Sequence, residues 1–231
     1  MLSHKNLVIF SHPRSGTKLM AKILEDFGYF SHGEWFSLQS TTIENNKAIR
    51  RSTHAEIIQS SSENKYKKIK EHIRRYNLYN KIDKSVITIW PETLVECPFI
   101  LYKFEDYHWV CLERDPWDTM LSYYISVKNQ NFDGSFNSKP CIFKEDIFRK
   151  TYWDYYRALE MQDWIIKNKS ATIINFQDLI SGSSTTFGKE YNVNSKDEHT
   201  DLESLVENID QVKEWFIKLE NNRLSYKSWD L

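Results

Sequence analysis

The chain has 231 residues, of which 40% are hydrophobic and 15% aromatic, so it can bury a sizeable core. This composition excludes a disordered or low-complexity protein. A net charge of −1 argues against a protein whose main partner is nucleic acid, although it is compatible with a local basic pocket.

Targeting signals and cysteines bear on the compartment. We find no run of 18 apolar residues, and therefore expect no transmembrane helix. The chain enters its first predicted strand within six residues, which leaves no room for a signal peptide. Cys97, Cys111 and Cys141 are unevenly spaced and show no metal-ligand pattern. We therefore expect a cytoplasmic protein with reduced thiols.

The N-terminal segment predicts a strand, a tight loop and a helix. Leu7–Phe10 is a short apolar run that suits a buried parallel strand. An apolar stripe with helical spacing then runs from Leu19 to Phe27 and ends at Gly28. The loop between them directs backbone N–H groups and the positive end of a helix at one point. The sequence therefore predicts an anion-binding site there.

The residues of this loop narrow the kind of anion. A Walker A loop requires two glycines and ends in Gly-Lys-Ser/Thr, whereas here Gly16 stands alone and Lys18 follows Thr17. Arg14 lies inside the loop, where a guanidinium can form a bidentate contact with phosphate or sulfate oxygens. An ordinary strand-to-helix turn stiffened by Pro13 is the alternative interpretation.

Three later apolar runs predict further strands, at Val86–Trp90, about His108–Leu112, and Ala171–Phe176. Helices are predicted over the basic stretch 47–84, after Asp115 as N-cap with Pro116 in the first turn, over 142–168, and over about 202–222. Strands that alternate with helices predict one α/β domain, residues 1–231. Its central, mostly parallel sheet would have about four to five strands flanked by helices.

Two motifs resemble those of a known family. Pro13–Thr17 (PRSGT), which follows the first strand, resembles the 5′-phosphosulfate loop of sulfotransferases that use 3′-phosphoadenosine 5′-phosphosulfate (PAPS). Trp109–Pro116, followed by Ser122, resembles the 3′-phosphate site of that family, where an arginine at a strand end precedes a helical serine by eight residues. The pattern is most similar to the bacterial trehalose-type and tyrosylprotein branches. It implies a P-loop-like sulfotransferase architecture.

The resemblance implies a reaction and a set of binding residues. A sulfuryl group would pass in line from PAPS to an acceptor hydroxyl, leaving 3′-phosphoadenosine 5′-phosphate (PAP). A metal is not required, because a sulfuryl group carries less charge than a phosphoryl group. Arg14 would also stabilise the leaving phosphate. The implied PAPS-binding residues are Arg14, Ser15, Gly16, Thr17 and Lys18 at the 5′ end, and Arg114 and Ser122 at the 3′-phosphate.

The same resemblance implies a general base. Glu34 lies 20 residues after Arg14 and is followed by two aromatic residues, as is the catalytic glutamate of the trehalose-type enzymes. The proline that those enzymes carry in this segment is missing here. A solvated loop carboxylate is the alternative interpretation of Glu34, and His12 and His32 are rival bases.

A third match is partial, and several questions stay open. Asn175–Leu179 resembles the family's Arg-Tyr-Glu-Asp-Leu segment, whose aromatic residue lies near the adenine; Phe176 could stack there but lacks the hydroxyl. The acceptor could be a sugar, a small alcohol, a lipid or a peptide tyrosine, and the resemblance to the trehalose-type enzymes, which dimerise, implies a possible homodimer. Two other functions compete: a P-loop kinase or NTPase that uses ATP–Mg, and a non-catalytic nucleotide-binding protein.

Overall fold

The computed structural model describes residues 3–33, 41–44, 47–50, 71, 73–91, 94, 101, 104–129, 139–182, 187–188, 191 and 201–227. The chain divides into two compact units. The first comprises Met1–Glu113 and Glu160–Val193, and the second Arg114–Leu159 and Asn194–Leu231. A single domain over residues 1–231 stays a prediction.

The described strands are β1 Asn6–Phe10, β2 Phe30–Ser31, β3 Thr41–Glu44, β4 Lys47–Arg50, β5 Ser85–Ile89, β6 His108–Glu113 and β7 Thr172–Asn175. The described helices are α1 Thr17–Asp26, α2 Pro116–Asn129, α3 Glu145–Lys169, α4 Phe176–Ile180 and α5 Ile209–Lys227, with a 3₁₀ turn at Glu203–Leu205. Residues 73–79 are also helical.

The first unit contains a five-stranded, fully parallel sheet with the order β2-β5-β1-β6-β7. This confirms the predicted α/β fold with a parallel sheet of four to five strands. The order also shows where the chain switches from adding strands on one side of β1 to adding them on the other. After β1 it adds β2 and β5 on one side, and then crosses to add β6 and β7 on the other.

Both faces of the central strand are covered, which explains why its sequence is apolar throughout. Leu7 and Ile9 pack in one cluster with the buried side of α1, including Met20. Val8 and Phe10 belong to a second cluster, which contains Ile165 of α3. Alternating residues of β1 therefore contact different helices, the pattern expected for a strand buried on both faces.

Two elements differ from the sequence prediction. β3 and β4 pair as an antiparallel two-stranded sheet, with Thr41 opposite Arg50 and Glu44 opposite Lys47. A helix starting at residue 47 is therefore wrong, although residues 73–79 are helical as predicted. The predicted strand over 171–176 ends one residue early, because Phe176 is the first residue of α4.

The second unit has an aromatic-rich core formed by α2, the first part of α3 and α5. Asp115 caps α2, since its Oδ1 accepts a hydrogen bond of 3.0 Å from the amide of Asp118, and this confirms the predicted cap. Glu220 on α5 accepts hydrogen bonds from the hydroxyls of Tyr152 and Tyr156 on α3. These bonds join two helices of this unit.

Within the described parts of the chain, none of the helices combines the length and the apolar character that crossing a bilayer would require.

Candidate anion-binding site

The loop between β1 and α1 lies at the topological switch point of the sheet. β1 has β5 on one side and β6 on the other, and the chain reverses its direction of strand addition there. Open α/β sheets bind ligands outside the carboxyl ends of the strands at such a point. The predicted anion loop therefore occupies the part of this fold where a ligand is expected.

The backbone of the loop is strained at a residue with a side chain. Arg14 has φ 73°, in the left-handed region, and Gly16 has φ 96°. For a residue other than glycine this conformation costs about 1–2 kcal/mol. Such strain persists only where the surrounding structure imposes it, and it is concentrated at ligand-binding sites. Left-handed residues in a turn also turn consecutive N–H groups toward one concavity, as anion-binding nests do.

Hydrogen bonds hold the strand side of the loop in place. The Ser11 hydroxyl lies 3.1 Å from the carbonyl of His12 and 3.3 Å from that of Leu112, at the end of the neighbouring strand β6. The His12 Nδ1 donates to the carbonyl of Pro13 at 2.7 Å. The Ser15 amide donates to the carbonyl of His12 over 3.3 Å, a long bond that leaves this N–H able to share a second acceptor.

The first turn of α1 has the features of an anion-binding helix end. Gly16 is its N-cap and provides no side-chain cap, and the first turn of this described helix has no acidic residue. The first four N–H groups of a helix lack partners within it, and the helix dipole makes this end positive. Thr17 is buried and Lys18 is exposed at this end. The arrangement suits a phosphate or sulfate group.

Phe176 contacts the loop from the other end of the chain. A Cβ placed on Gly16 would lie 2.7 Å from Cδ2 and 2.9 Å from Cε2 of the Phe176 ring. Sequence reasoning missed this contact, because 160 residues separate the two positions and no local pattern joins them.

The two histidines proposed as rival bases are both buried. Burial lowers the pKa of His12 to about 4, against a smaller opposite effect of its hydrogen bond with Pro13. His32 lies with its Nε2 2.9 Å from Oδ1 of Asn77, and its Nδ1 has less than 1 Å² exposed. His12 is 5% exposed and His32 is 6% exposed, so the geometry favours ordering roles for both.

Glu34 lies outside the described residues, but its predecessor Gly33 is described. The carbonyl of Gly33 accepts a hydrogen bond of 3.0 Å from the amide of Thr88, one residue before the end of β5. β2 is two strands away from β1, a separation of about 10 Å. Gly33 therefore lies at the carboxyl half of the sheet, the half that carries the loop.

Arg114 and Ser122 belong to the second unit, whereas residues 14–18 belong to the first. Arg114 directly follows β6 and its carbonyl accepts a hydrogen bond of 3.2 Å from the Tyr155 hydroxyl. Burial raises the pKa of Asp118, and the Arg114 charge opposes that effect. Ser122 is buried on α2. Among the described residues, no group of three or more His, Cys, Asp or Glu is arranged to hold a metal ion.

No protein-family model and no curated protein sequence matches the chain. Among solved structures it is similar to retinol dehydratase with androsterone and inactive cofactor PAP, at 15% identity and a TM-score of 0.36. It is also similar to retinol dehydratase with retinol and PAP, at 13% identity and a TM-score of 0.37. These matches cover 92% and 91% of this chain, which spans 59% of the length of each matched chain.

Proposed function

We propose that the protein is a PAPS-dependent sulfotransferase, which transfers a sulfuryl group to an acceptor hydroxyl and releases PAP. The observation that carries the proposal is the loop at the end of β1. It has a sequence that resembles the 5′-phosphosulfate motif, an arginine with a strained backbone at its centre and, behind it, a helix N-terminus whose N-cap is a glycine. The physical features support binding of an anion, and the motif sequence supports PAPS as that anion.

The loop residues would bind the 5′ end of the cofactor, which when bound supplies an activated sulfuryl group. The amides of Ser15, Gly16 and Thr17 would donate to the 5′-phosphosulfate oxygens, with Lys18 as an additional cation. The Arg14 guanidinium would form a bidentate contact and neutralise the charge that develops on the leaving phosphate. Preorganised donors of this kind act without reorganisation during the reaction, which is why a strained but fixed loop is useful.

Arg114 and Ser122 would bind the 3′-phosphate, the group that distinguishes PAPS from ATP. The proposal is supported by the position of Arg114 directly after β6, the strand beside β1. Arginine suits this role because its planar fork matches two phosphate oxygens.

Glu34 would be the general base that takes the proton of the acceptor hydroxyl. The proposal is supported by Gly33, whose pairing with β5 brings the preceding chain to the carboxyl half of the sheet. Burial of both His12 and His32 also favours a carboxylate in this role. A positioned general base contributes about 10²–10⁴-fold to the rate. The acceptor would be a sugar, a small alcohol, a lipid or a peptide tyrosine.

Binding calorimetry with PAP and AMP tests the nucleotide assignment, because AMP lacks the 3′-phosphate. We expect the wild-type protein to bind PAP at least tenfold more tightly than AMP. Arg114→Ala should remove this preference, and Arg14→Ala should weaken both nucleotides. Labelled PAPS, screened against acceptor hydroxyls, then tests transfer, and Glu34→Gln should retain PAP affinity while losing turnover.

Other outcomes would favour the competing functions. Tight binding of ATP–Mg with none of PAP would indicate a kinase or NTPase. Binding of PAP without transfer to any acceptor, in the wild type as in Glu34→Gln, would indicate a non-catalytic nucleotide-binding protein.

A further inference from the structure

The ring of Phe176 and the missing side chain of Gly16 fit together. A Cβ on residue 16 would lie 2.7 Å and 2.9 Å from two ring atoms of Phe176, and 3.7 Å from Cδ1 of Leu179. Cβ contacts under 3.0 Å essentially do not occur in proteins. The value of φ at Gly16, 96°, separately disfavours any side chain there. Residue 16 is therefore restricted to glycine by its own backbone and by the neighbouring ring.

The helix that carries Phe176 is itself fixed at both ends. Asn175 caps α4 by accepting a hydrogen bond of 2.8 Å from the amide of Gln177. At the other end, the Tyr191 hydroxyl donates to the carbonyl of Leu179 at 3.0 Å, and Leu179 is buried in the cluster that contains α1. The Phe176 ring therefore contacts the loop from a firmly held support.

We propose that Phe176 is a positioning residue, which sets the location of Gly16 and with it the first-turn amides of α1. This rests on the proposed anion-binding function of the loop. Hydrogen bonds from Ser11 and His12 hold the strand side of the loop, and the Phe176 ring packs against its helix side. The role differs from the adenine stacking that the partial sequence match implied.

The functional consequence follows from the precision that anion donors require. Misplacing a binding group by about 1 Å can cost about 10²-fold in activity. If the ring of Phe176 is removed, Gly16 can shift into the vacated space and carry the amide of Thr17 with it. Leucine at position 176 would retain most of the contact and therefore most of the affinity.

Binding of PAP and of inorganic pyrophosphate to Phe176 variants tests the proposal, since pyrophosphate requires only the loop. We expect Phe176→Ala to weaken both ligands at least tenfold, and Phe176→Leu to remain within threefold of the wild type. Phe104→Ala is the control, because this fully buried ring lies in the cluster around Val8 and Ile165, which contains no described residue of α1. It should lower stability at least as much as Phe176→Ala, yet leave both affinities within twofold.

A double-mutant cycle tests the contact itself. In the wild type, Gly16→Ala introduces both backbone strain and a steric clash with the Phe176 ring. In the Phe176→Ala background, the same substitution introduces the backbone strain alone. The combined loss of pyrophosphate affinity should therefore be at least fivefold smaller than the product of the two single losses. Losses that multiply, or a Phe176→Ala affinity within twofold of the wild type, would overturn the proposal.

The two ligands separate this proposal from the proposed function. A wild-type protein that binds pyrophosphate but not PAP would overturn PAPS as the substrate, and the Phe176 variants would still be measured with pyrophosphate. A wild-type protein that binds neither ligand would overturn both proposals.

Discussion

The left-handed backbone of Arg14 leads to a prediction that separates folding from function. Arg14→Gly and Arg14→Ala both remove the guanidinium with all its contacts, and only glycine relieves the strain at φ 73°. Relief is worth about 1–2 kcal/mol, and the greater unfolded-state entropy of glycine offsets about 0.5–1 kcal/mol of it. We therefore expect Arg14→Gly to be more stable than Arg14→Ala by roughly 0.7 kcal/mol, the difference between the midpoints of these two ranges.

Urea unfolding of the two variants at neutral pH measures this difference, and thermal unfolding should show a Tm higher by about 1–4 °C for the glycine variant. Both variants should lose at least 10²-fold in PAP affinity by calorimetry, because neither can form the bidentate contact. An alanine variant as stable as the glycine variant would refute the strain. A glycine variant with PAP affinity within threefold of the wild type would refute the binding role of Arg14.

Three further predictions concern the scaffold. Because the pKa of His12 is lowered from 6.5 to about 4, the stability that the neutral imidazole provides is complete above pH 6.5 and is lost as the pH falls toward 4. Urea unfolding should therefore show that the free energy of unfolding falls by about 3 kcal/mol over this range, and His12→Asn should largely abolish the fall. The same pH dependence in His12→Asn and in the wild type would contradict this. Glu220→Gln should cost about 2 kcal/mol, since two tyrosine hydroxyls and an arginine donate to this partly buried carboxylate, whereas Glu145→Gln, which breaks a surface ion pair, should cost less than about 0.5 kcal/mol. Asp115→Ala should cost about 1 kcal/mol by removing the cap of α2, and Asp115→Asn should retain nearly full stability in the same assay.

The sheet could be predicted largely because its main strands are buried on both faces. β1, β5 and β6 are mostly apolar and almost entirely buried, and such runs are hard to mistake when polar segments bound them. β2 was not predicted, since it has only two residues and Phe30 is 38% exposed, so no periodic signal exists. β3 lies in a polar run that carried no strand signal, and β4 lies in the basic stretch 47–84 that was predicted to be helical. Two asparagines between Glu44 and Lys47 were the one available hairpin signal.

The residue types of the candidate site could be read from the sequence, but its backbone conformation and its packing could not. The residue types of the loop pointed to an anion, because an arginine, small residues and a following helix are enough to suggest one. The left-handed conformation of Arg14 could not be predicted, since it depends on contacts made by the rest of the fold. The packing of Phe176 on Gly16 was equally hidden, because it joins the loop after β1 to the first residue of α4, and 160 residues separate the two positions.

The order of the strands sets the distance over which the proposed reaction would take place. The Gly33 carbonyl and the end of β1 lie two strands apart, about 10 Å, with β5 between them. A base lies about 3 Å from the acceptor oxygen, and that oxygen lies about 3–3.5 Å from the atom it attacks. In the proposed reaction, the donor's bridging oxygen and phosphate would occupy the remaining few ångströms. The Gly33 carbonyl and the end of β1 are therefore separated by about the distance that a base, an acceptor and a donor phosphate would together have to span.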